Sequence, residues 1–157
     1  MTVRNRAFRF VGVGWDTDAT GLTLDATGGV AMIDGDESIR QAILLLLCTT
    51  PGERLLRPQY GSYLHRLMFA PNDQTTAGLA MHYVRQAVER WEPRVEIVEI
   101  DAGANPDQPS RLDIRLTYRV RASLATAEIN YPLDLTLTAG DQDQPDRTAL
   151  DGTGVAG

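Results

Sequence analysis

The chain has 157 residues, 43% of them hydrophobic and 23% charged, which bounds it to one ordinary globular domain with room for a core. A formal net charge of −6 opposes nonspecific binding to nucleic acid. A single cysteine, Cys48, excludes an intrachain disulfide or a cysteine-based metal cluster and reads as a small buried apolar residue.

The N-terminus carries Arg4, Arg6 and Arg9 but no sustained apolar stretch, so it does not read as a secretory signal, and folding in the cytosol is expected. Phe8 and Phe10, with Val11 or Val13, suit one face of an irregular strand that Gly12 and Gly14 weaken. Asp16 to Gly29 is rich in Asp, Thr and Gly and reads as loop, with Leu22 and Leu24 as a short extended patch. Residues 1–32 are therefore expected to form an extended segment and loop.

Asp34 and Glu37 have capping-box spacing before Ile39, Ala42, Ile43 and Leu46, which recur at helical spacing. Leu44, Leu45 and Leu47 widen that stripe, so the helix should be buried on most sides. Its longest apolar run, Ala42 to Cys48, is far too short to span a bilayer. Thr50-Pro51-Gly52 ends it, and a connector, Glu53 to Gly61, follows. A short second helix is predicted from Ser62 to Phe69, with Leu64, Leu67 and Met68 inward. Pro71-Asn72-Asp73 breaks the chain and caps a third helix, Gln74 to Trp91.

Beyond Pro93 the period changes. Val95 to Ile100 is strand-like with imperfect alternation, and Gly103 to Pro109 is a turn-rich loop. Leu112, Ile114, Leu116, Tyr118 and Val120 alternate cleanly with polar residues, the pattern of a half-buried antiparallel strand. Ile129, Tyr131, Leu133, Leu135 and Leu137 alternate again, with Pro132 marking a sheet edge or irregularity. The expected fold is α+β: three helices on a small, mainly antiparallel sheet across residues 33–138, then a flexible, disordered tail over 139–157.

Catalytic and metal chemistry find little footing. Gly12-x-Gly14 precedes no helix, so phosphate-loop geometry is absent. His65 and His82 are isolated, and the aspartates of Asp141 to Asp151 lack a calcium-loop register. Glu53 and Glu92 are the acids in semi-apolar positions, but each has an arginine within two residues. Such a neighbour lowers a carboxyl pKa, the wrong direction for a glycosidase acid. The informative segment is Trp91-Glu92-Pro93-Arg94-Val95. A proline at the helix-to-strand junction should present Glu92 and Arg94 at a rigid corner suited to a specific polar contact.

The helix Ser38 to Leu47, then Thr50-Pro51-Gly52-Glu53-Arg54, Pro58-Gln59-Tyr60-Gly61-Ser62, Leu67-Met68-Phe69 and Glu92-Pro93-Arg94-Val95, in that order, resemble the GPW-type baseplate-wedge proteins. These occur in contractile phage tails, type VI secretion systems and extracellular contractile injection systems. The resemblance runs from about Ile33 to Leu137. It implies a fold like the inner domain of the sheath protein. It also implies a structural, non-enzymatic role with no cofactor or metal, despite the family's lysozyme-like label.

The resemblance further implies a sixfold baseplate ring whose partners are the sheath protein, the wedge core bundle, and tube or hub proteins, with neither nucleic acid nor membrane insertion. Glu92, Pro93 and Arg94 would contact the core bundle. Pro51, Gly52, Glu53, Arg54, Pro58, Tyr60 and Gly61 are the family's structural motif. The strand carrying Ile129, Tyr131, Leu133, Leu135 and Leu137 is the candidate edge for an added sheath strand, because an exposed edge is also a docking site. Arg115, Arg119 and Arg121 would face an acidic partner or solvent. The other readings are a peptidoglycan-cleaving muramidase and a stand-alone adaptor.

Overall fold

The computed structural model describes residues 6–11 and 21–136. The expectations for Val13, Leu137 and the 139–157 tail lie outside the described residues. The N-terminal segment is more ordered than a single weak strand. β1 (Arg6–Phe8) pairs antiparallel with β4 (Met32–Asp34), and β2 (Phe10–Val11) pairs with β3 (Gly21–Leu22). Gln41 fastens this part to the helix behind it. Its side chain donates to Phe8 O at 2.7 Å and accepts from Phe10 N–H at 2.8 Å.

The first helix, α1 (Gly35–Cys48), buries Ile39, Ile43, Leu44, Leu46 and Leu47, as its wide apolar stripe requires. The expected capping box does not form. Gly35 turns the backbone with φ +61°, and the Asp34 carboxylate makes no cap bond. It pairs instead with Arg6 at 3.4 Å, tying β4 to β1. Cys48 is exposed rather than buried. It falls on the outer side of the last turn, near Tyr131, whose pKa burial pushes up.

The second predicted helix is corrected to a 3-10 turn of five residues, Tyr63–Leu67, leaving two α-helices rather than three. The interval between Gly61 and Pro71 is too short to repay α-helix nucleation, and 3-10 geometry suits such short pieces. Leu64 and Leu67 still point inward, while Met68 is half-buried. The next helix, α2 (Gln74–Trp91), has the predicted limits. The Asp73 carboxylate accepts from Thr76 N–H at 2.9 Å, and this bond holds the Asp73 pKa below its usual value.

The sheet is a meander, β5 (Val95–Ala104), β6 (Arg111–Val120) and β7 (Thr126–Asp134), with β6 central and every pairing antiparallel. One face shares a core with α1, α2 and the 3-10 turn through Leu112, Ile114, Leu116, Tyr118, Val120, Ile129 and Leu133. The irregular alternation of β5 has a simple cause. Ile97 opposes Tyr118 and Glu99 opposes Thr117, so Val98 is the extra residue of a bulge. Val95, Ile97, Ile100 and Ala102 all contribute to the core, while Val98 is exposed.

That register separates two apolar residues that look alike in sequence. Ile114→Ala should cost about 2–5 kcal/mol by opening a cavity in the central strand. Val98→Ala should change stability by less than about 0.5 kcal/mol. Urea unfolding of the two variants checks the placement, and equal losses would contradict the bulge.

Candidate functional site

The two sequence motifs, well separated along the chain, meet in space. The first is a series of tight turns. Pro51 and Gly52 (φ +101°) occupy the corner of a turn closed by Glu53 N–H donating to Thr50 O at 3.1 Å. The Glu53 carboxylate folds back to accept from Thr50 N–H at 3.0 Å. A second turn is closed by Arg57 N–H to Arg54 O at 3.2 Å, and Tyr60 N–H then reaches Arg57 O at 3.0 Å. Pro58 is exposed on this loop.

Gly61 and Ser62 seal the series onto the end of α1. Ser62 donates from N–H to Thr49 O at 2.9 Å and from Oγ to Leu47 O at 3.0 Å, serving carbonyls that a helix end leaves without partners. Gly61 adopts φ +134°, and a Cβ there would lie 2.4 Å from Thr49 O. Only glycine fits that approach.

The Tyr60 ring then packs edge-on against Trp91 of α2, with ring centroids 5.4 Å apart, while the Arg54 guanidinium lies 4.6 Å over the tyrosine ring. Arg90, beside Trp91, donates to the Gln59 side chain at 2.5 Å. Burial raises the Tyr60 pKa, with smaller opposing influences from Arg54 (lowering) and Glu92 (raising).

Next to Trp91 comes the proline corner. The expectation that it presents two charges is corrected: Glu92 is buried, with 6% of its surface exposed. Its carboxylate accepts from Arg94 Nε at 2.5 Å and Nη2 at 2.7 Å, a bidentate pair that raises the Arg94 pKa. Pro93 makes the reversal, which Val95 N–H closes by donating to Glu92 O at 3.4 Å, and Arg121 N–H donates to Arg94 O at 2.9 Å from beyond the end of β6. The outward charge is therefore the remaining guanidinium surface of Arg94, whose side chain is 37% exposed.

An open groove of about 470 Å³ runs beside Pro93, between Glu89 and Glu96. Arg119 holds the Glu96 pKa below the usual carboxylate range through a 2.6 Å bond, the wrong direction for a general acid. Arg115 is likewise paired, with Glu128 at 3.6 Å, so these two arginines of the outer sheet face first meet acids of their own sheet. His65 and His82 are exposed. Among the described residues, no group of three or more His, Cys, Asp or Glu is placed to hold a metal.

The third motif is the edge of β7. Val120 N–H donates to Ala125 O and Leu135 N–H to Ser110 O, bonds that bracket the β6–β7 ladder and share one parity. The backbone groups of Ile129, Tyr131 and Leu133 therefore face β6, and those of Thr126, Glu128, Asn130, Pro132 and Asp134 face outward. Ile129, Leu133 and Leu135 bury their side chains, and Leu135 lies just past the strand. Sequence reasoning chose the core-facing set because it carries the apolar alternation. The outward backbone set is its complement.

The fold and these motifs define an α+β domain whose marked residues gather where the ends of both helices meet the sheet. The family model described as "Baseplate wedge protein gp25" matches residues 33–125, and the chain belongs to that family. Membership makes it a baseplate wedge component of a contractile tail-like system, with other baseplate proteins as partners.

A Geobacter sulfurreducens structure, provisionally named a tail lysozyme, is 31% identical with a TM-score of 0.61, over 76% of this chain and 100% of its own. A chain of the anti-feeding prophage baseplate shares the fold at 23% identity and a TM-score of 0.58, over 65% of this chain and 84% of that one. A chain of the postcontracted pyocin R2 baseplate is 27% identical with a TM-score of 0.52, over 64% and 99%. No curated protein matches the chain.

Two variants probe the site's construction. Gly61→Ala should lose at least about 1–3 kcal/mol in urea unfolding through its left-handed φ and the clash at Thr49 O. Arg94→Ala should cost about 1–3 kcal/mol, discounted from a fully buried pair because Arg94 is partly solvated. Adding Glu92→Gln should restore part of that loss, since a neutral amide is easier to bury than an unpaired carboxylate. An Arg94→Ala protein as stable as the parent would contradict the account.

Proposed function

We propose that this chain is a non-enzymatic sheath initiator, a baseplate component that links the wedge core bundle to the first sheath ring and templates the sheath by strand addition. The acting unit is residues 33–138, preceded by the 1–32 segment and followed by the 139–157 tail. It would assemble in the bacterial cytoplasm as part of a sixfold ring, with tube or hub proteins nearby.

The observation that carries this reading is the outer edge of β7, which no strand among the described residues covers. The other outer edge, that of β5, is interrupted by the bulge at Val98, a common protection against strand addition. Pro132 gives the β7 edge a polarity of its own. Its nitrogen faces outward and offers no donor, so an incoming strand would bond best along Thr126 to Asn130. The Ile129, Tyr131 and Leu133 side of β7 keeps the strand seated on the core while the alternate residues bind.

The Glu92-Pro93-Arg94 corner is the proposed contact for the core bundle, with Arg94 as the outward group and Glu92 as its internal anchor. The same geometry weakens the muramidase reading. Glu53 braces its own turn and Glu92 is chelated by Arg94, so neither stands as a free acid over a substrate cleft.

The edge can be tested without disturbing the core. Asn130→Pro removes an outward donor but none of the β6 ladder, as Pro132 already does. It should retain most of its melting temperature yet reduce sheathed particles about tenfold or more, given the weight of main-chain bonds in strand addition. Ile129→Pro, which removes an inward bond, should unfold the domain. Normal sheath formation with a folded Asn130→Pro protein would sink the β7 assignment.

A further inference from the structure

Leu55 and Leu56 are 97% and 98% exposed, the most extreme values among the large apolar residues described. They occupy the two central positions of the turn closed by Arg57 N–H to Arg54 O. Nothing about that turn calls for leucine. Neither residue has a positive φ, and polar residues, glycine or proline are the usual occupants. The loop is also braced at its base, by the Arg54 stack on Tyr60 and by the Ser62 bonds to α1. Two leucines held at the tip of a braced turn incur little ordering penalty on binding.

We propose that Leu55 and Leu56 form a docking knob that inserts into an apolar, acidic-rimmed groove on another baseplate protein. The acidic rim follows from charge. Arg54 and Arg57 bracket the leucines, whereas Glu53, the acid in the same loop, is folded back onto Thr50 N–H. The tip is thus a local cationic collar on a chain of net charge −6. A membrane fits less well. Two leucines at a turn tip offer far less apolar area than an interfacial helix. The knob is a surface separate from the β7 edge and the proline corner, and it rests on the assembly role proposed above only for the source of its partner.

Photocrosslinking in intact particles tests it. Full-length chain carrying p-benzoylphenylalanine in place of Leu56 is assembled in producing cells, and the purified particles are irradiated. The expected product is a crosslink to an apolar segment of another baseplate chain with Asp or Glu flanking the attachment point. A Leu55→Ser/Leu56→Ser variant should keep the parent's melting temperature and lose incorporation about tenfold or more, as for an interface hot spot. Arg57→Glu should lower incorporation in the same direction.

A crosslink to residues 137–157 of the same chain, a lipid adduct, a basic target segment or normal incorporation of the serine variant would each overturn the knob. The same photoprobe in place of Glu128 separates the two ideas. A crosslink from position 128 to the sheath, with none from 56, overturns the knob and leaves the strand reading intact. Silence at both positions overturns both.

Discussion

The architecture of this domain depends on how the end of α1 is closed. A helix ends with carbonyls that need donors. Here the donors come from Ser62, fourteen residues beyond Cys48 in the chain, reaching Leu47 O and Thr49 O. That closure requires the chain to leave the helix, make three consecutive turns and return so close to Thr49 O that a Cβ would lie 2.4 Å from it, which Gly61 permits. The turns therefore have a fixed position in space. They set Tyr60 against Trp91, which brings the loop to the end of α2 beside Glu92 and Arg94. One backbone requirement thus joins the ends of both helices to the start of the sheet.

This arrangement changes what the Glu92-Pro93-Arg94 sequence means. Read along the chain, it is a charge pair at a corner. In the fold, one of those charges is internal and both of its oxygens are occupied. Such a pair is weak evidence of net stabilisation, but the buried Glu92 carboxylate strongly requires its partner, whereas Arg94 is partly solvated. The proline sets the reversal that brings Arg94 back over Glu92. Loss of function on removing Arg94 would accordingly mix two effects, a missing contact and an unpaired carboxylate. Substitution at Glu92 and Arg94 together separates them better than either change alone.

What was legible in the sequence was whatever repeats with a period. α2 was legible because Asp73 supplies a cap and Ala77, Ala80, Val84, Ala87 and Val88 recur at helical spacing. β6 was equally clear, since buried and polar residues alternate along it. The unreadable parts are those set by a partner distant in sequence. The bulge at Val98 exists because Thr117 on β6 faces two residues instead of one. Asp34 failed as a cap because Arg6, far earlier in the chain, took its carboxylate. Cys48 looked buried because it ends an apolar run, but at that point the helix has turned its side chain outward. The free side of β7 was hidden for another reason. Hydrophobic alternation reports which side chains enter the core and says nothing direct about which backbone groups have a partner.

The two outer edges of the sheet differ in how open each would be to an added strand. β5 meets solvent with a bulge and with Glu96, Glu99 and Asp101, so another chain finds neither a straight ladder nor an uncharged one. β7 keeps regular pairing with β6 along its whole length, and its outward backbone positions are continuous up to Pro132. A proline at an inward position would have broken the β6 ladder. At an outward one it leaves the domain intact and removes the donor from that position of the edge. An edge that is open for a few residues and then blocked favours a partner of matching length and register over indiscriminate stacking. The same residue that sequence analysis read as an irregularity is thus well placed to set the register of an incoming strand.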